Sequence, residues 1–305
     1  MKLYTFDEFY HKEFDTPLWL MEPYIQSCSD MLVNGKFGSG KTALAITLGK
    51  AIAQGGEFLN KWQCDQGTVV FLQIERPQNW FQERIHHLDQ MLGTPNFHIM
   101  TDDRNQINIQ TEVETKAQWI EDLKALEPAF IIIDSVRAAH RWNENDNDIP
   151  RVFFDWWREA TGYTSTNCFI HHNKKSPMFF NKGTGKMEQA AETDEDARGA
   201  IAWLDAAATV IRVDKGNRGP KAMQYSKLSS SGYPDPVPIF MDDESLLIVN
   251  GEGSPAERYV RQAMTQGRSK AEIVAVATNK RREIHEFKQP LGKTKVYEML
   301  EGYVK

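Results

Sequence analysis

Gly35-Lys36-Phe37-Gly38-Ser39-Gly40-Lys41-Thr42 spells G-x-x-x-x-G-K-T, the spacing of a loop that wraps phosphates. Its flanks supply the required context. Asp30-Met31-Leu32-Val33-Asn34 reads as a short apolar strand. Beyond the loop, Leu44, Ala45, Leu48, Ala51 and Ile52 recur at three- and four-residue intervals, the pattern of an amphipathic helix. Glycines let the backbone close around an anion with its N–H groups turned inward, and the helix N-terminus adds a positive dipole end. Gly35, Gly38, Ser39, Gly40, Lys41 and Thr42 are therefore the predicted phosphate-binding set. Lys41 reaches the β- and γ-phosphates of a nucleotide, and the Thr42 hydroxyl ligates Mg²⁺.

The 305-residue length allows one large α/β domain, or one plus a small appendage. A hydrophobic content of 41% supports a true core, and the net charge of −6 does not advertise nucleic acid across the whole surface. Cys28, Cys64 and Cys168 show no paired spacing, which suits a reducing compartment and argues against a disulfide scaffold or zinc cluster. Cys168 lies near His171 and His172 but inside an apolar run, so a buried structural thiol is expected there. The N-terminus lacks a leader pattern and no run reaches membrane-spanning length. The expectation is a soluble, cytoplasmic protein with no membrane partner.

Residues 1–29 are aromatic and acidic, broken by Pro17 and Pro23, and read as a lead-in that packs on the core. Thr68 to Glu75 reads as a buried strand ending in a carboxylate. Placed beside the phosphate-loop strand, Glu75 would point into the crevice where α/β sheets bind ligands and could polarise an attacking water. The alternative is a surface Glu that opens a loop. Residues 78–92 are helical by pattern, Phe97–Met100 is a short strand, and Glu114–Leu126 a helix. Ala129 to Ser135 is a buried strand carrying Asp134 at its end, the second nucleotide-binding signature, where an acidic group helps hold Mg²⁺. A helix follows from about Ile149 to Thr161, with Phe153, Phe154, Trp156 and Trp157 read as core rather than base-stacking residues. Asn167 to Lys175 is a strand that turns polar at its end. A His there can contact the γ-phosphate region, and the alternative is a hydrogen-bonded structural histidine, the reading taken for His171.

Residues 176–197 read as a long loop. Thr209–Val213 and Met223–Lys227 form a hairpin around a charged turn from Asp214 to Ala222, and a last strand spans Ser245–Val249. After a linker at 251–255 the composition changes. Residues 255–305 hold eleven Lys/Arg against six Asp/Glu, a net +5 that leaves −11 on the remainder. Helices are expected over Ala256–Gln266, Lys270–Ala277 (capped by Ser269) and from Gly292 onward, with Val296, Leu300 and Val304 inward. That order reads as a helix-turn-helix or winged-helix module. Lys280-Arg281-Arg282 and Lys293/Lys295 could contact phosphates, and protein docking is the rival use. The domain division is 1–250 for the nucleotide-binding core and 255–305 for the basic module.

Phosphate loop, Glu-ended strand, Asp-ended strand and His-ended strand, in this order, resemble the RecA-like ATPases. Within them the chain looks most like the RepA-type plasmid and phage hexameric helicases, related to the DnaB replicative helicases. The resemblance covers about residues 16–250 and rests on Pro17-Leu18-Trp19-Leu20, Gly35–Thr42, Gly67–Glu75, Ile131–Ser135, Glu144-Asn145-Asp146, His171–Lys175 and Ala197–Ala200. It implies an α/β fold with a mostly parallel twisted sheet, ATP and Mg²⁺ as ligands, Glu75 as catalytic base and His172 as γ-phosphate sensor. It also implies self-assembly into a ring and single-stranded DNA in a central channel faced by the loops after Asp134 and His172. A basic residue of the neighbouring subunit would complete the site. The hairpin offers Lys215, Arg218 and Lys227, of which Arg218 and Lys227 are favoured. Arg76 stands where an acidic residue is common, and Lys227-Leu228-Ser229 replaces the usual basic pair, departures that bear on helicase turnover rather than nucleotide binding. Two further functions fit the same residues: a recombination or DNA-loading ATPase that forms filaments, and a nucleotide-gated regulator whose residues 255–305 bind duplex DNA or a replication protein.

Overall fold

Nearly continuous apolar runs are stable only in strands covered on both faces, and the chain supplies several. In the computed structural model they gather, among the described residues, into one nine-stranded sheet. The structure describes residues 2–13, 19–75, 77–86, 88, 91–101, 109, 113–143, 146–172, 178–181, 186–189, 202–216, 219–229, 232–242, 246–252, 255–265, 267–278 and 291–301. The strands are β1 (Asp30–Gly35), β2 (Val69–Gln73), β3 (Phe97–Thr101), β4 (Phe130–Asp134), β5 (Thr166–His172), β6 (Thr209–Gly216), β7 (Gly219–Leu228), β8 (Val237–Met241) and β9 (Ile248–Asn250), in the spatial order β9-β8-β7-β6-β1-β5-β4-β2-β3. From β6 to β3 every pairing is parallel, and β7, β8 and β9 extend the sheet antiparallel. This is the expected α/β, RecA-like architecture.

Side chains alternate between two cores, as the pleat requires. Met31, Val33, Val69, Phe71, Phe130, Ile132 and Ile170 face α1 (Lys41–Gln54) and the N-terminal segments. Leu32, Val70, Leu72, Ile131, Ile133 and Phe169 face α3 (Val113–Ala125) and α4 (Ile149–Ala160). A shorter helix α2 (Gln78–Ile85) follows β2. Gly49 lets α1 lie close on the sheet, because a Cβ there would sit 2.8 Å from the Phe97 ring and 3.0 Å from Ile132. Phe153, Phe154 and Trp157 of α4 are fully buried, so the aromatic stripe is core.

The structure departs from the sequence expectation in four places. The strand that precedes Glu75 does not lie beside the phosphate-loop strand, since β5 and β4 separate them. Residues 178–181 and 186–189 form an antiparallel ribbon inside the expected long loop. The β6–β7 hairpin extends through its charged stretch to Gly216 and Gly219, because alternate polar residues face outward and Arg212 pairs with Asp214 at 3.0 Å. Strand β8 has no counterpart in the sequence reading. Pro238 lacks an N–H, and the rungs to β7 are Ala222–Pro238 and Met223–Val237, so the local signal is weak.

Beyond β9, α5 (Pro255–Thr265), α6 (Lys270–Ala277) and α7 (Lys293–Glu301) enclose their own small core of Val260, Ala263, Ile273, Val274, Ala277, Val296 and Leu300. Ser269 and Glu272 form the capping box that starts α6. Residues 280–282 and 304 lie outside the described residues.

At the opposite edge of the sheet from the phosphate loop, Asp30 is 1% exposed. It accepts a hydrogen bond from Asn167 at 2.9 Å and pairs with Arg158 Nε at 2.6 Å. Burial raises its pKa, and Asn167 and Arg158 oppose that shift.

Candidate active site

The parallel strands deliver their C-terminal ends to one edge, where ligands bind in such sheets. There β1 runs into the phosphate loop, and α1 starts at Lys41 directly after Gly40, which is left-handed at φ 89°. Lys41 is 4% exposed, and its Nζ donates to the carbonyls of Gly35 and Lys36, both at 2.8 Å. Thr42 Oγ1 donates to Asp134 Oδ2 at 2.8 Å, joining the start of α1 to the end of β4. Residues ninety-two positions apart in the chain thus share one hydroxyl–carboxylate contact. Gly35 has φ 148°, and a Cβ there would lie 2.6 Å from the Val213 carbonyl oxygen and 2.8 Å from Ser39 Oγ.

The fit to a polyphosphate and a hard cation follows from these atoms. Ser39 Oγ is buried with no hydrogen-bond partner among the described residues, so the phosphate loop holds an unused polar atom, packed beside Gly35. The Thr hydroxyl and Asp carboxylate are the hard oxygen ligands that Mg²⁺ takes alongside phosphate oxygens and water. Among the described residues no group of three or more His, Cys, Asp or Glu could hold a metal by itself. Cys168 is fully buried, and desolvation raises its thiol pKa.

Residues 2–178 match the family described as AAA domain. The chain belongs to that family. The match takes in the phosphate loop, Glu75, Asp134 and His172 and stops short of the β6–β7 hairpin. Among solved structures, a KaiC-like protein from the hyperthermophilic archaeon Pyrococcus horikoshii is similar, with TM-score 0.51 and 14% identity over 76% of this chain and 94% of that one. At that identity the likeness is one of fold.

The remaining predicted residues of this AAA-domain protein are spread unevenly. His172 is the register partner of Gly35 across β5 and β1, and its ring lies 6.5 Å from that of Phe37 at the exposed loop tip. Glu75 is exposed and sits two residues past the end of β2, where Gln73 is level with Asp134. It is therefore on the correct edge, one strand beyond β4. Lys227 is level with Val210, which is level with Leu32, well below the loop. Its Nζ donates to the carbonyls of Leu204 at 3.2 Å and Asp205 at 2.6 Å, ending the short helix Ala202–Ala206, and desolvation lowers its pKa. Arg218 and Arg76 lie outside the described residues. The sequence reading placed Lys215 only on the hairpin turn; the structure puts its Nζ 2.9 Å from the Phe37 carbonyl of its own phosphate loop. A cleft lined by Lys50, Gln54, Asn60 and Gln63 opens at the far end of α1, about 20 Å from the loop by helix rise, and has no part in this site.

Behind the Asp134 edge, His140 is 2% exposed. It stacks on Trp203 at 5.7 Å and accepts from the Trp142 N–H at 3.1 Å. Desolvation, with Arg137 second, lowers its pKa from 6.5 to about 4. The unfolded chain therefore takes up this proton first as pH falls. Stability is intact above about pH 6.5 and is lost towards pH 4 by about 2–3 kcal/mol from this group. Urea midpoints measured from pH 7 to pH 4 are expected to fall, with a shallower fall in His140→Phe. Equal slopes would contradict the assignment.

Proposed function

We propose that the protein is a Mg²⁺-dependent ATPase that assembles with copies of itself and moves along single-stranded DNA, a replicative-helicase-like motor of a mobile element. The observation that carries the ATPase reading is the Thr42–Asp134 contact at 2.8 Å beside Lys41 in a closed phosphate loop. A direct hydroxyl–carboxylate bond between the two metal-binding positions sets both oxygens on one point. Lys41, held on two loop carbonyls, can exchange them for the β- and γ-phosphate oxygens without moving its backbone, since charged partners make the stronger hydrogen bonds. Thr42 and Asp134 would hold Mg²⁺, which would supply charge neutralisation at the phosphates. Glu75 orients the attacking water and accepts its proton. His172, against the loop tip, reads the γ-phosphate position and passes it to the segment that follows β5. A basic group from a neighbouring subunit completes the charge stabilisation. For Lys227 that role requires release of the Leu204 and Asp205 carbonyls, and Arg218 is the other choice.

The DNA reading is supported by the resemblance to hexameric helicases and by the exposed Arg137, which follows Asp134 at this edge. A second reading draws on the helices α5 to α7, which lie within the basic segment 255–305: a nucleotide-gated regulator that binds duplex DNA or a replication protein through residues 255–305. ATP turnover with and without single-stranded DNA, with solution mass recorded on the same samples, separates them. The motor predicts DNA-stimulated turnover by a closed oligomer, whereas a filament would grow without closing. A monomer whose turnover ignores single-stranded DNA would contradict the motor and leave the regulator.

A further inference from the structure

Strand β6 does not stop where β1 does. Arg212 is level with Asn34, and Val213, Asp214, Lys215 and Gly216 continue beyond the shared rungs, carried by β7 through Lys215–Pro220 and Gly216–Gly219. This overhang lies on the phosphate loop. The Val213 carbonyl closes on Gly35, and Lys215 Nζ sits 3.1 Å from where a Cβ on Gly38 would be. The same Nζ donates to the Phe37 carbonyl at 2.9 Å. Asp214, the neighbouring carboxylate, is engaged by Arg212. Lys215 is therefore an exposed ammonium held over the loop tip by a neutral carbonyl, with two of its three donors unused among the described residues.

We infer that Lys215 binds the terminal phosphates of the nucleoside triphosphate in its own subunit, while its bond to Phe37 steadies the loop tip. This rests on the nucleotide-binding reading above. A phosphate oxygen is a stronger partner for an ammonium than a peptide carbonyl, and a four-carbon stem with three rotatable donors can keep Phe37 while adding the anion. Gly38 leaves the space this needs. Because the Phe37 ring also faces His172, one loop tip touches both the cis lysine and the sensing histidine. A residue turned inward on its own loop differs from the trans finger that the hairpin was expected to offer.

The test is calorimetric titration of ATP and Mg²⁺ into wild type, Lys215→Ala and Lys215→Arg, followed by ATP hydrolysis in a mixture of Lys215→Ala with Lys41→Ala. Loss of one charge-assisted contact predicts roughly tenfold weaker ATP binding in Lys215→Ala, with most of it regained in Lys215→Arg and no hydrolysis restored by mixing. Wild-type affinity in Lys215→Ala would overturn the inference, and so would restored hydrolysis in the mixture, which would put Lys215 in the neighbouring subunit's site. A wild-type chain that binds no ATP would instead overturn the nucleotide-binding reading on which the inference stands. Lys215 is exposed, so matching thermal melts are expected for all three forms.

Discussion

Glu75→Gln is expected to lower ATP turnover about 10²–10⁴-fold, the range that a positioned general base supplies, and to leave ATP affinity close to that of wild type. The glutamine keeps the shape and can hold a water but cannot take its proton. Glu75 makes no part of the phosphate cradle, and its exposure leaves the core untouched. Lys41→Ala gives the opposite pattern. It removes a charged donor from the middle of the cradle, so affinity falls roughly 10–100-fold for a loss of about 1.5–3 kcal/mol. Single-turnover hydrolysis beside equilibrium binding separates the two effects. Glu75→Gln with unchanged turnover would remove Glu75 from the chemistry and make it the surface residue that its position also allows.

Arg158→Leu is expected to destabilise the fold by about 3–5 kcal/mol, the usual cost of leaving a buried charge without its partner. The paired mutation Asp30→Asn costs less. The asymmetry comes from exposure: the Asp30 side chain is 0% exposed and the Arg158 side chain 37%. Stripped of Asp30, the guanidinium can turn to water. Stripped of Arg158, the carboxylate cannot, and Asn167 alone remains to it. Because burial already raises the Asp30 pKa, protonation relieves part of the penalty. Arg158→Leu should therefore recover some of its lost stability as pH falls through the raised pKa of Asp30. Urea denaturation of the two variants at pH 7 and at lower pH checks both the order and the sign. Equal costs would contradict the asymmetry drawn from the two exposures.

The phosphate loop could be read in the sequence because it is local. Strand, glycines, Lys41, Thr42 and helix follow one another within 25 residues, and each level of the pattern points to the same structure. Asp134 was legible through a five-residue apolar run ending in a carboxylate, and the 2.8 Å contact to Thr42 joins the two signals. Sheet order was not legible. Nothing near Val69–Gln73 says that β4 and β5 lie between it and β1, because crossover connections hide neighbours that are distant in the chain. The charged stretch from Asp214 to Gly216 looked like a turn since charge and glycine mark turns. Its partner β7 holds it in the ladder, and only that extension brings Lys215 to Phe37. The resemblance favoured Lys227, on the return strand, as a trans finger, but its bonds to Leu204 and Asp205 depend on a helix no nearby residue foretold. The Asp30–Asn167–Arg158 cluster joins three segments and had no signal in any one of them.

Hydrolysis at the Thr42–Asp134 edge is tested most directly by phosphate release from ATP by the purified chain with Mg²⁺ and with EDTA, beside Thr42→Ala. The predicted result is Mg²⁺-dependent release by wild type that EDTA abolishes and Thr42→Ala lowers at least roughly tenfold, as expected when a metal ligand and its charge-assisted contact are removed. Release that ignores Mg²⁺, or that Thr42→Ala leaves intact, would contradict it.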